Sequence, residues 1–165
     1  MAIHIDRARG ADVRAIAEIE RESFSDPWSE RSFHDILSHS GIYFLCARRC
    51  DERSADGASE LVGYVVAWFA AGEGEIANLA VASEARRTGI GSALLDATLN
   101  AARAAGVTDI CLEVRTSNVR ARQLYDSRGF VEVGRRQSYY RRPVEDAVIL
   151  RRTEPALADE VTSEV

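Results

Sequence analysis

Arg86-Arg87-Thr88-Gly89-Ile90-Gly91-Ser92-Ala93 decides how this chain is read. The segment before it, residues 75–81, is apolar and predicts a strand. The segment after it, from about Gly91 to Ala105, carries Leu94, Leu95, Ala97, Thr98 and Leu99 at helical spacing, and Gly106 stands where a glycine closes a helix. A glycine-rich turn between a strand and a helix is suited to hold an anion. The first N–H groups of a helix lack partners and carry partial positive charge, and glycine lets the backbone come close to a ligand. The result is a cradle of the size of a pyrophosphate, to which Arg86 or Arg87 adds charge-assisted bonds. Two other readings compete. A dinucleotide-binding turn needs a third small residue at position 94, which is Leu94. That turn would also come too late in the chain for a doubly wound domain, although Glu113 lies about where a ribose-binding acid would. A plain helix start with glycines for packing stays open.

Outward from this turn, residues 2–7 predict a strand. Val13, Ile16, Ala17, Ile19 and Glu20 recur with helical period, with Asp12 as candidate cap. Asp26-Pro27 breaks that helix, and Ser29 caps a second one bearing Phe33, Ile36 and Leu37 on one face. Residues 41–48 and 61–70 predict strands joined by a long polar loop from Cys50 to Glu60. Residues 108–114 predict a strand and 118–128 a helix stopped by Gly129, followed by closing strands over 130–139 and 144–151. The order is strand, two helices, three strands, helix, strand, helix, two strands. It predicts an α/β (mixed α+β) fold with a central mixed sheet and helices on both faces.

The 165 residues suit one domain, expected over 1–152, with an acidic, disordered tail over 153–165. The net charge is −5, and Glu154, Asp159, Glu160 and Glu164 account for four of those charges. The body is therefore nearly neutral, which argues against a nucleic-acid partner. No apolar run has the length of a membrane span, and the first ten residues carry Asp6, Arg7 and Arg9 rather than a signal-peptide core, so a cytoplasmic location is expected. All 21 basic residues are arginine. Cys46, Cys50 and Cys111 lack the spacing of a metal site and read as reduced thiols, so no metal is expected.

Two residues have the chemistry of a proton acceptor and a proton donor. Glu113 lies in the apolar strand Ile110-Cys111-Leu112-Glu113-Val114. A carboxylate desolvated there would have its pKa raised toward a value useful for proton abstraction. The other reading has Glu113 facing solvent near the strand end or pairing with Arg115. Tyr125 falls two turns into the helix capped by Asn118 and can point back at the sheet. A phenol there can give a proton to a departing sulfur, or serve simply as an amphipathic core residue.

Taken together these segments resemble the GCN5-related N-acetyltransferase (GNAT) superfamily, over Ile3 to about Arg151. Arg-Arg-Thr-Gly-Ile-Gly is similar to its acetyl-CoA signature, and Asn78-Leu79-Ala80-Val81 to its bulged strand, whose backbone pairs with the pantetheine arm. Within it, the ribosomal-protein-alanine N-acetyltransferases (RimI type) are resembled more narrowly. The resemblance rests on Phe24 with Pro27-Trp28-Ser29-Glu30, on Leu112-Glu113-Val114-Arg115 with Ser117-Asn118, on Leu124-Tyr125 with Gly129-Phe130, and on Tyr139-Tyr140 with Glu145-Asp146-Ala147. It implies a mostly antiparallel sheet of about seven strands, acetyl-CoA as co-substrate and a ribosomal protein N-terminal peptide as partner; apart from the resemblance, a monomer or weak dimer is expected. It further implies Glu113 as general base and Tyr125 as general acid. Leu79, Ala80, Val81, Arg87, Thr88, Gly89, Ile90, Gly91, Ser92 and Asn118 are implied as the acetyl-CoA site.

On this reading an α-amine, with an ordinary pKa of roughly 7.7–8.0 and so largely protonated at neutral pH, loses a proton to Glu113 directly or through water. It then attacks the thioester, with N–H groups near Leu79 to Val81 facing the oxyanion and Tyr125 protonating the thiolate. Other acceptors keep the same fold: a different protein N-terminus, a lysine or a small-molecule amine. A non-catalytic acetyl-CoA-binding module would need neither Glu113 nor Tyr125. Two further expectations concern charge. Glu18, Glu20, Glu22, Asp26, Glu30 and Asp35 form either a steering field for a basic acceptor or a solvated face. Arg135, Arg136, Arg141 and Arg142 form a basic cluster read as solvated surface. The stretch between Tyr140 and Glu145 is short for the family, which bears on peptide preference.

Overall fold

The computed structural model describes residues 2–154. In chain order its elements are β1 (Ala2–Arg7), α1 (Val13–Ser23), α2 (Glu30–Leu37), β2 (Ile42–Cys50), β3 (Ser59–Ala70), β4 (Glu73–Val81), α3 (Ile90–Ala104), β5 (Asp109–Arg115), α4 (Val119–Asp126), β6 (Val131–Tyr140) and β7 (Glu145–Thr153). The seven strands form one sheet in the order β1-β2-β3-β4-β5-β7-β6. Only β4 and β5 are parallel; every other neighbouring pair is antiparallel. A parallel pair needs a crossover, which α3 supplies.

The two faces of β3 show why helices cover both sides. Val62 to Ala67 are all buried, the run expected of a strand covered on both faces. Tyr64 points to α1 and α2, where its ring meets Phe33 edge-on at 5.6 Å. Gly63, one residue earlier, faces α3. A Cβ there would lie 3.1 Å from both the Ala80 carbonyl oxygen and Leu94 Cδ1, so the glycine lets α3 settle onto the sheet. The turn after α4 is tied to α3 by Arg128 Nε donating to Asp96 at 2.8 Å.

The sheet opens in its middle. β4 and β5 stay paired from Glu73↔Asp109 to Ile76↔Leu112 and no further. On the other side of β4 the register with β3 slips between Val66↔Asn78 and Ala67↔Ile76, which leaves Ala77 as an extra residue. Such a bulge bends its strand and ends regular pairing. The bulge thus falls one residue ahead of the Asn78–Val81 stretch singled out in the sequence. Beyond it, the β5-facing edge of β4 is free, and a cleft runs between the two strands.

Some local expectations are corrected. Ser29 caps α2, its hydroxyl accepting from the Ser32 N–H at 3.1 Å. Asp12, however, does not cap α1 with its side chain. Its carboxylate accepts instead from the Arg9 N–H at 2.9 Å and from both Arg48 terminal nitrogens at 2.9 and 2.7 Å, because a bidentate arginine outcompetes a single helical N–H. The loop expected from Cys50 to Glu60 is shorter, since Cys50 pairs with Ser59 and only residues 51–58 lie outside the strands. The expected tail loses its first two members. Thr153 ends β7, and Glu154 is held by Arg103, by Arg152 and by its N–H to the Thr108 carbonyl. Residues 155–165 of that tail lie outside the described residues.

Candidate active site

The cleft is built from the free edges of β4 and β5. Ile110, Leu112 and Val114 alternate into the core, so Cys111, Glu113 and Arg115 project to the other side of β5. Glu113 is the first β5 residue past the last β4 pairing, and it enters a cavity of about 540 Å³. The cavity is walled by the end of α1 and the α1–α2 connection (Phe24, Ser25, Trp28), by β4 (Ala77, Asn78, Leu79), and by Tyr139, Tyr140 and Arg141. Tyr125 lines it too, from the last turn of α4. A second cavity of about 500 Å³ is walled by Leu79, Ala80 and Val81 together with Arg86, Arg87, Gly89, Ile90, Gly91 and Ser92, and by Arg120 and Leu124 on α4. Ser23, Phe24, Leu79, Asn118, Ala121 and Tyr125 are walls of both, so the two spaces adjoin with Tyr125 at the junction.

The turn has the geometry of an anion cradle. Gly89 has φ +82° at the N-cap of α3, a left-handed conformation in which a side chain is strained. A Cβ built there meets no protein atom within 4 Å, so space stays open above the helix N-terminus. Arg86 is held by its own turn, with Nε donating to the Val81 carbonyl at 3.0 Å and a terminal nitrogen to Ser23 Oγ at 3.3 Å. Thr88 alone among the residues singled out is not a wall of either cavity; its hydroxyl donates to the Ala85 carbonyl. Asn118 caps α4, its Oδ1 accepting from the Ala121 N–H at 3.2 Å, and also borders both cavities.

Glu113 is not the isolated carboxylate that its strand suggested. Its side chain is a quarter exposed, and Arg136 Nη1 lies 3.2 Å from its Oε1. Arg115, the partner considered from sequence, goes elsewhere, to Glu145 at 3.2 Å. Arg136 also sits 5.0 Å from the Tyr139 ring centroid, and a hydrogen bond to Glu113 pushes the Tyr139 phenol up. Burial, reinforced by the Glu113 charge, pushes the Tyr140 phenol up to about 12. Tyr125 is buried, packed edge-on against Phe130 at 5.4 Å, and burial raises its pKa as well. Tyr125 therefore carries its proton at neutral pH, and its hydroxyl is available as a donor. A carboxylate and a protonated phenol facing one space can serve opposite ends of a proton-transfer reaction.

Tyr139 and Tyr140 both reach the cavity although they are neighbours in a strand. β6 makes this possible by slipping against β7 between Arg136↔Ala147 and Tyr140↔Glu145, with Ser138 at φ +51° and its N–H held by Asp146 at 2.8 Å. The basic cluster expected at the surface is thereby divided. Arg136 pairs with Glu113, Arg135 with Glu132 at 2.7 Å, and Arg141 borders the cavity.

One functional group was missed. Glu20 is 1% exposed and ends in the wall of the larger cavity. It accepts from the Tyr64 hydroxyl, from Asn78 Nδ2 at 2.9 and 3.0 Å, and from the Trp28 N–H at 3.1 Å. Burial raises its carboxyl, and these donors pull it back down. Its position was visible in the sequence. Val13, Ile16, Ala17 and Glu20 share one helical stripe, so Glu20 belongs to the core face and not to the acidic field assigned to residues 18–35.

The structure thus joins a free-edged cleft between parallel strands, a left-handed glycine at a helix start, and a carboxylate and a phenol that line one cavity. The chain matches the Acetyltransferase (GNAT) family over residues 13–130, and it belongs to that family of acyltransferases, whose acetyl donor is acetyl-CoA. It is 32% identical to the Escherichia coli [ribosomal protein bS18]-alanine N-acetyltransferase over 143 residues, covering 84% of this chain and 89% of that protein. It is 36% identical to an uncharacterised N-acetyltransferase of Methanocaldococcus jannaschii over 145 residues, 87% of each chain. The fold superposes on the crystal structure of the Escherichia coli ribosomal-protein-S18-alanine N-acetyltransferase with a TM-score of 0.82 at 26% identity, covering 97% of this chain and 99% of that one. The seven-stranded sheet and its flanking helices are the GNAT fold. No helix among the described residues is long and apolar enough to cross a membrane.

Proposed function

We propose that this chain transfers acetyl from acetyl-CoA to the N-terminal alanine amine of ribosomal protein bS18, with Glu113 as general base and Tyr125 as general acid. One observation carries the reading: Glu113 and Tyr125 face a single cavity, and Tyr125 also borders the adjoining cavity made by the glycine turn. The coenzyme supplies an activated acyl thioester. The N–H groups at residues 89–92 hold its diphosphate, with Arg87 adding charge, while Thr88 only braces the turn through its hydroxyl on the Ala85 carbonyl. Leu79, Ala80 and Val81 offer the unpaired edge of β4 to an extended arm, and Asn118 closes that space from α4. Glu113 takes the proton of the incoming amine, and Tyr125 gives its proton to the leaving sulfur. A ribosomal acceptor places the reaction in the cytoplasm. The likeness to the bS18-alanine enzymes supports this acceptor over a lysine or a small amine.

A panel of acceptors tests the assignment: a peptide with the N-terminus of bS18, the same peptide with its α-amine blocked, a lysine peptide and a polyamine, read by free-thiol release. Release is expected with the free N-terminal peptide alone, with the acetyl group on the α-amine by mass spectrometry. Equal release from the blocked peptide would overturn it.

Gly89→Ala is expected to weaken acetyl-CoA binding about tenfold by calorimetry, since a left-handed alanine is strained by roughly 1–2 kcal/mol and the turn must move. An unchanged Kd would show that the diphosphate lies elsewhere.

A further inference from the structure

Arg115 ends β5 and is itself a wall of the larger cavity, and its guanidinium is shared between the α1–α2 loop and the β6–β7 turn. One terminal nitrogen donates to Ser25 Oγ, between α1 and α2, at 2.8 Å and to the Arg141 carbonyl, in the β6–β7 turn, at 3.0 Å. The other donates to the Pro143 carbonyl at 3.1 Å and to Glu145 Oε2 at 3.2 Å. The face of the guanidinium lies 4.4 Å from the centroid of the Tyr140 ring. Ser25 Oγ in turn donates to the same Arg141 carbonyl at 3.2 Å, which closes a three-membered ring of contacts across 116 residues of chain. Glu145 is itself fixed, its other oxygen accepting the Ser117 N–H at 2.5 Å beside the cap of α4.

We propose that Arg115 is a positioning residue that clasps the α1–α2 loop to the β6–β7 turn and so holds the walls of the acceptor cavity at working distance. The proposal rests on the acceptor reading above. Ser25, Tyr140 and Arg141 are at once walls of that cavity and partners of Arg115. A planar fork with five donors can bond both loops and lie over a ring at once, whereas a lysine ammonium at this position cannot. The clasp touches neither the glycine turn nor the free edge of β4, so its loss acts on the acceptor and leaves the coenzyme side alone.

A double-mutant cycle on the full chain tests this. Arg115→Ala is expected to raise the KM for the N-terminal peptide about tenfold with a much smaller change in kcat, and to leave the acetyl-CoA Kd, by calorimetry, within about twofold. Ser25→Ala is expected to raise the peptide KM less. The double variant is expected to be no worse than Arg115→Ala, because both substitutions break one unit. Hydrogen exchange gives a readout independent of turnover: the amides of Phe24, Ser25, Asp26 and Trp28 and those of Arg141, Arg142 and Val144 are expected to exchange faster together in Arg115→Ala, and also in Ser25→Ala should the former not fold. Faster exchange with no peptide turnover in the wild type keeps the clasp and removes the acceptor assignment. An unchanged peptide KM, a KM rise matched by the acetyl-CoA Kd, strictly additive substitutions, or loosening of one loop alone would overturn the clasp.

Discussion

Glu113→Gln is expected to lower kcat by about 10²- to 10⁴-fold, equivalent to roughly 3–5 kcal/mol of transition-state stabilisation. The amide keeps the shape of the carboxylate and can still accept from Arg136, so the ion-pair site is filled and the cavity unchanged. What it loses is the capacity to accept a proton from the attacking amine. Tyr125→Phe removes the donor at the other end of the cavity and keeps the ring against Phe130. It is expected to slow turnover about 10²-fold, since the thiolate must then leave unprotonated or find water. In both variants the acetyl-CoA Kd, by calorimetry, is expected to stay within about twofold, because neither side chain is needed for ground-state binding. Steady-state kinetics with free-thiol detection reads the first effect. Undiminished turnover in both variants would remove the assignment of base and acid together.

The second large effect is on stability. Glu20→Ala is expected to destabilise the protein by about 3 kcal/mol or more in urea unfolding. It leaves the buried Tyr64 hydroxyl and the part-buried Asn78 amide and Trp28 N–H without their shared acceptor and opens a cavity beneath α1. Glu20→Gln is expected to lose far less, since Tyr64 can turn its hydroxyl to accept from the amide. The pH dependence has a definite sign. Burial holds the Glu20 carboxyl above its ordinary value of 4.5, so the native state binds the extra proton. Its contribution is fully present below that value and is lost as pH rises through the folded-state pKa. Glu20→Gln lacks that decline, and the two unfolding curves should separate as pH rises above about 4.5. Because Asn78 adjoins the bulge at Ala77, the same substitutions also report on how firmly the free edge of β4 is held.

Local signals account for what the sequence made visible. The glycine turn, the Ser29 and Asn118 caps and the apolar run around Glu113 each depend on residues a few positions apart, and each predicts its element within a few residues. The succession of strands and helices along the chain followed from the alternation of periods. The features that were not legible depend on relations between distant segments. The parting of β4 from β5 after Ile76↔Leu112, and the slip that brings Tyr139 and Tyr140 to one side, are properties of pairing register, which no single strand encodes. Arg136 reaches Glu113 from a strand that looked like basic surface. Glu20 was misread for a different reason. Its charge suggested solvent while its place in the buried stripe of α1 said core, and three donors from β3, β4 and the loop settle the conflict in favour of the stripe.

A crystal structure with coenzyme A and an N-terminal alanine peptide tests the central claim most directly. The diphosphate is expected on the N–H groups of residues 89–92, with the sulfur at about hydrogen-bonding distance from the Tyr125 hydroxyl and the peptide amine within reach of Glu113, directly or through one water. A diphosphate bound away from the Gly89 turn, or a sulfur that leaves Glu113 and Tyr125 on the same side of the reacting carbon with neither near the amine, would contradict it.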